Sequence, residues 1–208
     1  MKLLLLLACG PAPEAIATGI SSDNPTVRQD MVVAAKLVDD PVVIEALIGA
    51  LEDDSTVIRV SAIESLADLS AVEAVPAICE RLDDDEEGVR RAAVDALGRL
   101  QDPGGTEALI EYLDEHRAGR VPLNALWALG NIGDPAALPI LSRFREHEDP
   151  YVAYNADLAL RAIGDAEFDA EEPLPEAPIE EPEVFEEPAV EEPPPKEAPV
   201  KRNIPFPG

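Results

Sequence analysis

The chain has 208 residues and a formal net charge of −27 at pH 7. Phosphate backbones repel such a surface and no basic stripe interrupts it, which argues against a nucleic-acid partner. Only 4% of the residues are aromatic, little for the core of a large α/β enzyme, and no run reaches the ~18 apolar residues of a spanning helix.

Residues 1–12 open with Lys2 and an apolar stretch, Leu3 to Ala8, closed by Cys9 and a Gly-Pro-Ala-Pro link. Leu6-Leu7-Ala8-Cys9 resembles the bacterial lipobox, in which a small residue precedes a cysteine that becomes lipidated. That resemblance makes Cys9 the expected lipidation site. It implies a lipoprotein at the outer membrane or facing the periplasm, tethered through lipid on Cys9. The apolar stretch is shorter than the usual ~7–15 residues of a secretory signal. The alternative is a soluble cytoplasmic protein.

Residues 13–165 carry an internal repeat. Val27, Ile58, Val89, Val121 and Val152 are spaced 31, 31, 32 and 31 apart. Three further columns keep that register: Met31, Ala62, Ala93, Ala125, Ala156; then Ala35, Leu66, Leu97, Leu129, Leu160; then Val38, Leu69, Leu100, Ile132, Ile163. Within each repeat the positions lie four, four and three residues apart, one face of an α-helix. A preceding helix supplies Ile16, Leu47, Ile78, Leu109 and Leu141 in the same phase. Asn24-Pro25, Asp40-Pro41, Asp102-Pro103, Asp134-Pro135 and Asp149-Pro150 each place a capping side chain before a proline that needs no donor. Gly133 and Gly164 stand where a left-handed residue ends a second helix.

From Asp165 the composition changes. Residues 165–208 hold 11 prolines and 14 acidic groups against three basic ones. Residues 166–208 are therefore expected to form a disordered acidic tail, ending in the basic-apolar Lys201-Arg202-Asn203-Ile204-Pro205-Phe206-Pro207.

Helix pairs this small bury their apolar faces only by stacking. The repeated Val-Arg, Ala-Leu-Gly and Asp-Pro elements resemble the short bacterial HEAT-like repeats also found in phycobilisome lyases. Val89-Arg90-Arg91-Ala92-Ala93-Val94-Asp95-Ala96-Leu97-Gly98 and Asn124-Ala125-Leu126-Trp127-Ala128-Leu129-Gly130 carry the likeness best. The first repeat is degenerate, and Pro122 and Ala153 replace the arginine in the last two. The resemblance implies an all-α fold, a right-handed α-solenoid of about five helix pairs. It also implies a non-catalytic interaction scaffold that binds a protein through the concave face of its second helices. A bilin-lyase-type enzyme is the alternative that the shared repeat leaves open.

Candidate chemistry is sparse. Asp83-Asp84-Asp85-Glu86-Glu87-Gly88 resembles the opening of a calcium loop, but the twelfth position, which needs a bidentate Glu, is Val94. His116 and His147 fall one repeat apart, too far to share an ion across stacked helices. Cys79 falls in an apolar first-helix column and reads as a small buried thiol. Arg28, Arg59 and Arg90 form a ladder beside turn acids and read as ties between repeats. No phosphate loop or nucleophile elbow is present. The expectation is therefore no catalytic residue, no metal, no cofactor and no small-molecule substrate.

Helical register also predicts the outward face. The positions two after each anchoring valine are Gln29, Val60, Arg91, Leu123 and Tyr154; four further on lie Val33, Glu64, Asp95, Trp127 and Leu158. The central repeats place charge there. The fourth and fifth place Leu123, Trp127, Tyr154 and Leu158, an exposed apolar cluster of the kind that marks a partner site.

Overall fold

The computed structural model describes residues 12–116 and 120–164. Cys9 with the expected signal segment, and the expected tail, lie outside the described residues. All described residues fall in the first of the chain's two units, Met1–Pro173.

Ten α-helices form five pairs among the described residues. The first helices are α1 (Pro13–Ile20), α3 (Pro41–Gly49), α5 (Val75–Glu80), α7 (Thr106–Glu115) and α9 (Leu138–Arg145). The second helices are α2 (Pro25–Ala35), α4 (Thr56–Asp68), α6 (Glu87–Leu100), α8 (Leu123–Ile132) and α10 (Pro150–Ile163). Each even helix packs on the next, α2 on α4, α4 on α6, α6 on α8 and α8 on α10. The result is an α-solenoid in which contacts join sequence neighbours.

All five capping side chains act as their sequence implies. Asn24, Asp40 and Asp149 accept from Thr26 N, Val42 N and Tyr151 N at 3.0, 2.9 and 2.8 Å. Asp102 and Asp134 do the same for Gly104 N and Ala136 N, but they cap short 3-10 turns that lead into α7 and α9. Gly133 and Gly164 end α8 and α10 at φ 74° and 97°. At the end of α6 the left-handed residue is Gln101, φ 53°, whose side chain donates to the Asn131 carbonyl.

The repeat columns form the core. Ala62, Ala93, Ala125 and Ala156 are buried, as are Leu66, Leu97, Leu129 and Leu160, and all five first-helix positions from Ile16 to Leu141. Each buried leucine contributes about 1.5–3 kcal/mol. The first column is buried from Ile58 onward, but Val27 is 37% exposed, contrary to its register. Ile58 and Val89 lie on the flank that meets the preceding even helix, and α2 has no such neighbour among the described residues. The fourth column is also less buried than its phase suggests: only Leu100 belongs to the core, while Val38, Leu69, Ile132 and Ile163 are half-covered at the helix ends.

Small residues set the spacing of the even helices. A Cβ at Gly98 would lie 2.8 Å from Ala128 Cα, and one at Gly130 would lie 2.8 Å from Ala159 Cα. The Ser65 hydroxyl, at the position equivalent to Ala96 and Ala128, donates to the Val32 carbonyl at 3.0 Å. On the opposite flank of the even helices the buried series Val32, Ile63, Val94, Leu126 ends in Asp157, paired with Arg161 at 2.8 Å.

The arginine ladder ties repeats together. Arg28 binds Asp53 through Nε and Nη2 at 2.6 and 3.1 Å, and Arg59 binds Asp84 in the same way at 2.9 and 2.8 Å. Both aspartates also accept the backbone N–H two residues on, from Ser55 and Glu86. Burial alone would raise these carboxyls. The paired guanidinium and that backbone N–H nevertheless hold both below the ordinary 3.8. Arg90 repeats the carbonyl bonds, to Asp84 O and Asp85 O, but meets no carboxylate among the described residues.

Candidate functional site

The even helices share one solvent-facing surface, and its chemistry changes along the stack. On α2 it carries Gln29 and Val33, on α4 Glu64, on α6 Arg91 and the half-buried Asp95. On α8 and α10 it becomes apolar: Leu123, Trp127 and Leu158 are 38%, 45% and 42% exposed. Tyr154, the fourth residue of the expected cluster, is half-buried. Tyr151, absent from the expected set, is exposed beside it.

Local structure explains the arrangement. Leu123 and Trp127 lie four apart on α8, and Tyr154 and Leu158 four apart on α10, so each pair shares a helix face. The helices bearing them approach closely because Gly130 meets Ala159. The indole is placed by a second glycine: a Cβ at Gly98 on α6 would lie 2.7 Å from Trp127 Cζ3. Trp127 thus rests on the α6 backbone with nearly half its surface in water. Gly98 and Gly130 stand 32 residues apart, a spacing that registers with the repeat and signals close approach.

Next to the indole runs a depression lined by Glu64, Asp68, Ala92, Asp95, Ala96, Arg99, Asn124 and Trp127. Arg99 pairs with Asp68, and the Asn124 amide donates to Asp95 at 2.9 Å. Glu64 is exposed and has no partner among the described residues. An anionic trough therefore borders an apolar platform.

The other candidates take structural places. Asp84 of the acidic run is bound to Arg59, and Val94 is buried in the core. His116 Nδ1 lies 2.7 Å from the Tyr112 carbonyl, and His147 Nδ1 accepts from Asp149 N at 3.0 Å, so each histidine serves its own turn. Cys79 packs half-buried against the core. Burial first, then Asp102 and Glu80, pushes its thiol up, away from the reactive thiolate. Among the described residues no three His, Cys, Asp or Glu side chains converge on one metal position.

Known proteins share this architecture. The CpcE–CpcF complex of phycocyanin lyase from Nostoc sp. PCC7120 aligns at 27% identity and TM-score 0.62, over 75% of this chain and 66% of that one. The chain thus spans just under two thirds of that subunit's length. A designed armadillo repeat protein in complex with the peptide (KR)4 aligns at 22% identity and TM-score 0.58, over 78% and 85%. A computationally designed armadillo repeat protein for modular peptide recognition aligns at 21% and 0.54, over 77% and 85%. No curated protein matches the chain. The family of HEAT repeats matches residues 13–98, 44–121 and 106–174, and the chain belongs to it.

Proposed function

We propose that the chain is a non-catalytic scaffold that binds a protein partner on the even-helix surface of α8 and α10, through Leu123, Trp127, Tyr154 and Leu158. The observation that carries this reading is Trp127, held on the α6 backbone by Gly98 and 45% exposed among other large apolar side chains. Surface tryptophans and tyrosines in such clusters are the types most enriched among binding hot spots. The Nostoc lyase likeness supports assembly with another protein, since that structure is itself a complex of two chains, CpcE and CpcF. The test is capture of the partner by crosslinking, followed by titration with Trp127→Ala. Affinity falls by ~2 kcal/mol or more with helicity unchanged. Equal binding by the variant refutes the assignment.

We further propose that the scaffold is held at a bacterial membrane through lipid on Cys9. The support is the sequence Leu6-Leu7-Ala8-Cys9; no helix among the described residues is long and apolar enough to cross a membrane. Lipid anchoring would set the solenoid a few residues from the bilayer and restrict its partners to those reachable there.

A further inference from the structure

We infer that the partner presents an extended segment with a basic half and an apolar half, the basic half over α4 and α6 and the apolar half over α8 and α10. This rests on the binding face proposed above and adds the chemistry of its occupant. The α8 residues that reach this surface, Leu123, Asn124 and Trp127, carry no charge, and Tyr151 and Leu158 continue the apolar platform on α10. The depression on the other side of the indole holds three carboxylates, Glu64, Asp68 and Asp95, against the single guanidinium of Arg99. Arg99 is committed to Asp68. Asp95 receives only the neutral Asn124 amide, and Glu64 receives nothing among the described residues. Arg91, one turn earlier on α6, does not line the depression.

This juxtaposition selects its ligand. A lysine or arginine laid along the trough meets Glu64 and Asp95 and also the Trp127 indole that lines it, an aromatic ring that attracts cations. A wholly apolar segment would strip water from two carboxylates and return nothing. An acidic segment would be repelled. Even helices about 8–10 Å apart place α4 and α10 roughly 27 Å from each other, the span of about eight extended residues.

The test uses the full chain and a labelled peptide in which Lys-Arg-Lys-Arg precedes Leu-Phe-Ile-Leu, alongside a version with glutamate at the four basic positions. Trp127 is the only tryptophan in the protein, so its emission reports occupancy of the site. The basic-apolar peptide should shift that emission, and the acidic version should bind at least ~10-fold more weakly. Glu64→Lys and Asp95→Asn, with helicity unchanged, should each weaken the basic-apolar peptide several-fold, and added salt should do the same. Absence of a shift, equal binding of the acidic peptide, or wild-type affinity in both charge variants overturns the inference. The two readings fail separately. A native partner held through Trp127 but indifferent to Glu64 and Asp95 removes the basic half and leaves the binding face. A partner indifferent to Trp127 removes the face itself.

Discussion

Replacing Gly130 by alanine sets two effects of opposite sign against each other. In a helix interior, alanine is favoured over glycine by about 0.8–1 kcal/mol. In this fold the added methyl would sit 2.8 Å from Ala159 Cα and 3.0 Å from Ala159 Cβ. Carbon atoms prefer ~3.5–4.0 Å, so α8 and α10 would have to part by roughly 0.7 Å. The obstacle is backbone, which cannot rotate away, and overpacking of this kind costs about 1–3 kcal/mol, placed here in the upper part of that range. The net expectation is destabilisation by about 1–2 kcal/mol. Gly49 supplies the control: its backbone is right-handed helical and nothing lies within 4 Å of an added Cβ. Gly49→Ala should gain about 0.4–1 kcal/mol. Urea unfolding followed by circular dichroism reads both, as midpoint shifts at constant slope. A Gly130→Ala protein as stable as the parent would mean that α8 and α10 do not touch at this register.

Leu97→Ala, at a fully packed column position, should cost ~2–5 kcal/mol in the same assay. Asp53 and Asp84 have lowered carboxyl values in the folded chain, so their ion pairs contribute stability above the unfolded value near 3.8. That contribution is lost as pH falls through the lowered folded value. Asp84→Asn should therefore flatten the acid limb of a stability-pH curve, and an unchanged limb would show that the ladder is not what protonation breaks. Arg59→Ala should couple to Asp84→Asn by roughly 1 kcal/mol in a double-mutant cycle, and simple additivity would deny the tie between repeats. Cys9→Ser should move the protein from the membrane to the soluble fraction, and unchanged fractionation would remove the lipid anchor.

Much of this fold was legible because a repeat states its core several times over. Leu66, Leu97 and Leu129 are buried for the same local reason, and the Asp-Pro pairs cap because the carboxylate and the missing donor act within three residues. Val27 shares the register of Ile58 and Val89 yet is exposed, because periodicity does not say which flank lacks a neighbour, and this flank of α2 meets no even helix among the described residues. Tyr154 points outward by register yet is half-buried: register gives the direction of Cβ, not the course of a long side chain. The apolar face itself was readable as Leu123, Trp127 and Leu158. The seat of the indole on Gly98 was not, because it depends on how closely α6 and α8 approach. The same limit hid the trough, since Glu64, Asp95 and Trp127 come from three different repeats.

The binding face is tested most directly by a photocrosslinking residue placed in turn at positions 123, 158 and 111 of the full chain in its native cells. Positions 123 and 158 lie on α8 and α10, whereas Glu111 is exposed on α7, away from the even-helix surface. The proposed face requires that one partner species be captured from 123 and 158 and not from 111. Capture from 111 alone, or equally from all three positions, would contradict it.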